Sequence, residues 1–360
     1  MYAHTHIFNT GGDIFAFQRD ALIMLIYLKH DFYTYWELMF RIGGKDIPTH
    51  LSEPIISMGF WGNMSNYLMV KLYTIFSFIS SPTLINISIF FSFIGFMGKF
   101  LILKAIENKS LGKFQFYTLA FILFYLPNES FWTNAIHKET LLTFAIGLVI
   151  YAFSLSVWYR WAMVVFGMTL MFIVRDFYFM SFLMGLFIYY LMNETKLKLR
   201  QVILVTSFFI LILFSLPIKF GKTLFHVLID KKTEFSSMNH GHTKIETLHF
   251  LQKPLESIYN TILNGFIEPS FWHIRNAFEL VISIENFLIS IILLFFIYAI
   301  FKAKSFQFFG FYVFAILIIF SCGYLVPNIG AILRYRSVAY ITLVFTLCYE
   351  YFLIQNRKTY

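Results

Sequence analysis

Charge is what this 360-residue chain has least of. Asp, Glu, Lys and Arg together make up 13% of it, about half the roughly 25% of an ordinary soluble domain. That scarcity excludes a water-soluble globular fold of this length. Cysteine is nearly absent as well. Cys322 and Cys348 both sit in apolar stretches without metal or redox spacing, which excludes a disulfide scaffold. No Walker loop, dinucleotide fingerprint or nucleophile elbow is present. The short alternating segments of an outer-membrane barrel are missing too.

Apolar residues fill the space that charge leaves. The chain is 59% hydrophobic, with 48 Phe and 22 Tyr, and its mean hydropathy is +0.70. Continuous apolar runs approach the length that crosses a ~30 Å hydrocarbon core, so the fold class is all-α, a polytopic integral membrane helical bundle. The runs predict about nine spans, at 84–104, 115–127, 137–157, 161–174, 177–193, 201–218, 284–301, 308–325 and 337–354. Four regions follow: an N-terminal segment 1–82 with interfacial helices, a first membrane part 83–218, a loop 219–283 and a C-terminal membrane part 284–360. The stretch 67–80, short and containing Lys71, reads as an interfacial amphipathic helix.

The net charge of +9 is a topology signal here, with no nucleic-acid partner implied. One set of short connections holds Lys104, Lys109, Lys113, Arg160, Lys196, Lys198, Arg200, Lys302, Lys304, Arg357 and Lys358. The opposite set holds Lys138, Arg175, Arg334 and Arg336. The positive-inside rule puts the first set, and the C-terminus, on the cytoplasmic side. Nine spans then require an external N-terminus, which "MYAHTHIFNTGGD" does not itself provide. The expectation is ten spans, with a leading one upstream of this chain.

The polar residues that solvated loops do not explain fall on the outer side: "TGGDIFAFQRDA" (10–21), "NESFWTNAIHKE" (128–139), "VRDFY" (174–178), "EPSFWHIRNAFE" (268–279) and "NIGAILRYR" (328–336). Five separated segments on one side of a bundle predict a single cavity. Asp13 follows Gly11-Gly12, where backbone can turn sharply, and its carboxylate can act as a general base or bind a divalent cation. Glu129 and Asp20 are alternatives for that role. Arg334 and Arg336 flank Tyr335 at a helix start, where the dipole disfavours cations, so an anionic partner is expected; a lipid headgroup and a lipid pyrophosphate both qualify. Lys138 and His137 invite the same argument, and Arg175 with Asp176 form a charged hairpin facing protein or a water-filled cavity. Trp272 reads as an interfacial anchor. His240, His242 and His249 lack a convincing third ligand, so no metal site is expected from them.

Taken in order, "GGDIFAFQRDA", "YLPNESFWTNAIHKETLL", "VRDFYF", "EPSFWHIRNAFELVISIENF" and "NIGAILRYRSVAY" resemble a family of bacterial polytopic proteins. It is similar to GT-C-type glycosyltransferases and to the O-antigen-like polymerases of surface polysaccharide clusters. The likeness runs through Pro127, Phe131 and Trp132, the Lys138–Glu139 pair, Arg175, and Arg334 with Arg336. It departs at Asn128-Glu129, at Ala135-Ile136-His137 where Gly is commoner, and at Asp176 where Pro is usual. The resemblance implies a polyprenyl-phosphate- or pyrophosphate-linked saccharide as donor and a saccharide as acceptor. Asp13, Glu129 or Asp20 would then deprotonate the acceptor, and Lys138, Arg334 and Arg336 would hold the leaving phosphate. His137 would share either role, and Trp272, supported by Arg275, would stack on a sugar as the alternative to an interfacial anchor. The competing class is a transporter or flippase of lipid-linked saccharides, which predicts discontinuous helices, charges toward the midplane and internal repeats.

Overall fold

A computed structural model describes residues 12–44, 47–107, 111–195, 197–215, 217–219, 222–223, 232–233, 253–274 and 276–358. The described chain is helical apart from a short antiparallel pair, β1 (Pro217–Lys219) and β2 (Lys222–Thr223). Three helices are long and apolar enough to cross a membrane: Leu84–Ile106, Ala277–Ala303 and the helix from Ile329. A fourth candidate is the bent pair Pro127–Thr133 and Lys138–Ser154. The count supported by length is therefore three to four, below the nine that hydropathy predicts. Several other apolar runs form shorter helices, such as Arg160–Val174 and Phe309–Leu325.

The chain divides into two compact units, Met1–Asn108 with Ser130–Asp176, and Lys109–Glu129 with Phe177–Tyr360. The first unit holds α1 (Gly12–His30), α2 (Phe32–Phe40), α3 (Ser52–Ser57), α4 (Met64–Ile79), α5 (Leu84–Ile106), the end of α7 (Pro127–Thr133), α8 (Lys138–Ser154) and α9 (Arg160–Val174). Its most extensive packing is α5 on α8, then α8 on α9 and α1 on α4. Side-chain oxygens start several of these helices by accepting orphan backbone N–H groups. Asp31 does so for α2, Asn63 for α4 and Thr83 for α5.

Residues 67–80 fall within α4, as expected of a helix. One face is nevertheless buried, through Tyr67, Met69, Val70, Tyr73 and Thr74. Tyr67 donates its hydroxyl to the Leu38 carbonyl at 2.7 Å. Burial first, and the Asp20 carboxylate second, raise its phenol pKa, so it stays a neutral donor.

The α5–α8 interface is made by absent side chains. A Cβ on Gly147 would lie 2.1 Å from the Gly98 carbonyl oxygen, and one on Gly98 would lie 2.6 Å from that of Thr143. Between apolar helices no water is expelled, so close backbone approach is what gains dispersion energy there. The sequence "GFMGK" (95–99) writes a small-x-x-small step onto α5.

The second unit holds α6 (Lys113–Tyr125), the start of α7, α10 (Asp176–Asn193), α11 (Leu199–Ser215), α12 (Pro254–Ile262), a π-turn (Leu263–Ile267), α13 (Ala277–Ala303), α14 (Phe309–Leu325) and α15 (Ile329–Lys358). Here α15 is the centre, packed against α6, α13 and α14. Its buried Glu350 accepts from Ser305 Oγ at 2.7 Å, Gln307 N at 2.8 Å and the Tyr312 hydroxyl. One carboxylate so ties the α13–α14 connection, where Lys304 adopts φ 53°, to the last helix.

Gly147→Val forces the clash at Gly98. It is expected to lower stability by about 1–3 kcal/mol or more, measured as an earlier midpoint of thermal aggregation in detergent. Ile146→Val, a small deletion at a neighbouring buried position, should cost about 0.5–1.5 kcal/mol. A Gly147→Val protein as stable as wild type would contradict the tight crossing.

Candidate functional site

The break between α7 and α8 is the most polar place in the first unit. The two helix axes differ by 98° across it. Ser92 Oγ donates to the Asn134 carbonyl at 2.5 Å, and a Cβ on Gly95 would come within 2.1 Å of the Thr133 carbonyl oxygen. Ser92 and Gly95 follow Leu84, the first residue of α5, by eight and eleven residues. At 1.5 Å per residue the break lies about 12–16 Å along α5. It is therefore packed against the interior of α5, between a third and half of the way along.

Sequence alone reads residues 126–142 as an outer-face turn opening a span. What opens α8 is His137, a buried residue in extended conformation whose ring lies 5.0 Å from that of Trp132. Lys138 donates to Ser65 Oγ at 2.7 Å, and Thr140 Oγ donates to the Ala135 carbonyl at 2.7 Å. Glu139, fully buried, accepts from Arg175 Nη2 at 2.7 Å. The polarity of both helices favours this pair. Glu139 sits in the first turn of α8 and Arg175 caps the end of α9, each where the helix dipole attracts its charge. Arg175 thus pairs across the unit with Glu139, a residue the sequence offers only as the partner of Lys138 in a motif.

The other predicted residues of this unit sit apart from the break in sequence and in role. Asp13 lies in the first turn of α1 and is partly exposed. Asp20 is fully buried. Its Oδ1 accepts from Arg19 Nε and Nη2 at 3.1 and 2.9 Å, and its Oδ2 accepts from Phe60 N at 2.9 Å. Both oxygens are thereby engaged in holding the loop before α4. Asp176 begins α10 and is exposed.

Glu129, Arg334 and Arg336 belong to the second unit, as does Trp272. The five polar segments that predict one cavity are thus divided, 12–21, 130–139 and 174–176 in the first unit and 128–129, 177–178, 268–274, 276–279 and 328–336 in the second. Arg275, Gly11, His240, His242 and His249 lie outside the described residues. Trp272 is 85% exposed. Arg334 stacks on Tyr335 at 4.9 Å and donates to its hydroxyl at 3.2 Å.

Arg336 is completely buried, with Nη1 donating to the Gly265 carbonyl at 2.6 Å and Nη2 to Asn286 Oδ1 at 3.0 Å. Asn286 in turn donates to the carbonyls of Ile267 and Glu268, and Ser283 to that of Pro269, across a cis Glu268–Pro269 bond. The guanidinium so supplies donors that the π-turn and its exit lack. Glu285, also buried, accepts from Asn128 N at 2.9 Å at the start of α7 and feels both Arg336 and Glu129.

Sequence reading missed Glu139 as the partner of Arg175, and it missed Glu285, Asn286 and the fully buried Lys99 on α5. The signal for all of them was available: a charged or amide side chain inside an apolar run is costly enough to mark a function or a partner. Among the described residues no group of three or more His, Cys, Asp or Glu could hold a metal ion.

Breaking a buried pair by removing one partner costs about 3–5 kcal/mol, whereas replacing both by apolar groups is often nearly neutral. Glu139→Leu and Arg175→Met should each destabilise strongly in thermal unfolding. The double variant should recover most of the loss; additive losses would show that the two do not act as a pair. Comparison of the chain with protein-family models, with curated proteins and with solved structures gives no match.

Proposed function

We propose that this chain is a membrane glycosyltransferase or polysaccharide polymerase, acting on a polyprenyl-phosphate- or pyrophosphate-linked saccharide at the outer face of a bacterial inner membrane. The observation that carries the reading is the charged opening of α8. His137, Lys138 and the Glu139–Arg175 pair gather at a helix N-terminus packed against the apolar helices of its unit. Helix N-termini favour anions, and cations beside them neutralise the charge that develops on a leaving phosphate. In this reading Lys138 and His137 meet the phosphate, while Arg175 and Glu139 hold the geometry. Asp13, with Glu129 or Asp20 as alternatives, is the base that takes the acceptor proton.

The same reading takes the shorter apolar helices as spans, for nine in all with a cytoplasmic C-terminus. The helices α6, α9 and α14 have 13, 15 and 17 residues, hence about 20–26 Å of length. Local thinning of the bilayer and flanking aromatic residues accommodate such mismatch at modest cost.

A transporter or flippase of lipid-linked saccharides is the second reading, and one observation favours it. The pair α7–α8 is a discontinuous apolar helix, the device by which transporters direct a helix N-terminus at an anionic substrate within the membrane.

Complementation of a polysaccharide-defective strain separates these readings. Lys138→Ala should lower polymer output roughly hundredfold, as loss of an electrostatic stabiliser does, and Asp13→Asn should abolish it at normal expression. Accumulation of single lipid-linked units on the outer face would mark a polymerase, and absence of the unit itself a sugar-adding transferase. Units trapped on the cytoplasmic side would mark a flippase. Wild-type polymer from both variants would sink the site. Arg336→Ala, by contrast, should reduce the amount of folded protein.

A further inference from the structure

The helix α2 carries two apolar faces, and the fold uses only one. Thr34, Tyr35 and Leu38 are buried against the first unit, with Leu38 accepting from Tyr67. Phe32, Tyr33, Trp36 and Phe40 point the other way and are 54–75% exposed. Four aromatic rings of this size along one short stripe exceed what water tolerates as scattered surface residues, and such a patch marks an interaction face.

We propose that α2 is an interfacial helix that seats Phe32, Tyr33, Trp36 and Phe40 at the boundary between lipid headgroups and acyl chains. Three features select a lipid surface. The first is ring geometry. Phe32 and Trp36 lie 5.9 Å apart and tilted by 33°, and Trp36 and Phe40 lie 4.4 Å apart and tilted by 41°. The rings pack against one another as one continuous apolar ridge along the helix.

The second feature is charge. Exposed Lys29 and His30 precede the stripe and Arg41 follows it, which complements headgroup phosphates at both ends. The nearby acids are engaged: Asp31 binds Thr34 through its backbone and hydroxyl, and Glu37 binds Arg41 at 2.7 Å and His50 at 2.9 Å. The third is residue type, since Trp and Tyr with an apolar body and a polar tip concentrate at membrane–water interfaces. The open cleft along this stripe, about 310 Å³, is lined by Tyr33, Trp36, Glu37, Phe40 and Arg41, all from α2 and its C-cap. With walls from one helix only, it encloses no ligand.

The test uses the full chain reconstituted in bilayers of phosphatidylethanolamine and phosphatidylglycerol. The native thiols Cys322 and Cys348 are buried and are replaced by alanine. An environment-sensitive fluorophore is then attached through Tyr33→Cys, Trp36→Cys or Phe40→Cys. At all three positions a nitroxide carried high on the lipid chain should quench several-fold more than aqueous iodide. Strong iodide quenching without lipid quenching would overturn the proposal. So would protection from both quenchers with cross-linking between copies, or displacement of the label by free oligosaccharide. Should the cysteine background fail to fold, brominated lipid gives the same answer with native thiols. Trp36→Phe should then remove part of the bromine-quenched tryptophan emission, and an unchanged quenched fraction would count against the helix lying in lipid.

Discussion

The buried pair of Glu139 and Arg175 states the constraint on which the rest of this protein depends. A charge taken out of water in an apolar chain must find its partner inside the protein, because nothing else nearby can supply one. The two residues are 36 positions apart in sequence and 2.7 Å apart in space. Their meeting sets the first turn of α8 level with the end of α9. The Gly98–Gly147 approach then sets α8 against α5. Polar pairing fixes the register of the helices, and glycine fixes their distance.

The second unit solves the same problem with amides and backbone. Arg336 could have been satisfied by a carboxylate alone. It instead donates to the Gly265 carbonyl and to Asn286, and so braces the π-turn from the last helix. Glu350 plays the corresponding part at the far end of α15, gathering a hydroxyl, a backbone N–H and a phenol. Both are fully buried charged residues of α15, whose candidate span is 89% buried. In each case the cost of burying the charge is offset by an irregular segment that would otherwise leave polar groups orphaned.

Most of the helical content was legible from hydropathy, and boundaries such as α5 at 84–106 and α14 at 309–325 lie close to their apolar runs, while α15 starts eight residues before its run at 337–354. Span count was less legible. The runs at 115–127 and 161–174 form helices of 13 and 15 residues, about as long as the runs themselves, and helices that short do not pass as spans on length. The polar segments were legible as unusual, for the plain reason that charge is scarce here. Their partners were not. Asp20 looks like a free carboxylate in sequence and turns out to hold the backbone of Phe60, forty residues away.

The sequence by itself determined that this is a helical chain with apolar helices of membrane-crossing length, and that its few charges at 127–139, 175 and 334–336 carry meaning. Composition and periodicity suffice for that, because each helix satisfies its own backbone. Only the tertiary structure decided that residues 126–142 bend by 98° against the interior of α5. It decided also that Arg175 answers to Glu139 and Arg336 to Gly265 and Asn286. Partner choice depends on which side chains arrive within about 3 Å after the helices pack, a distance set by glycines and polar groups far apart in the chain.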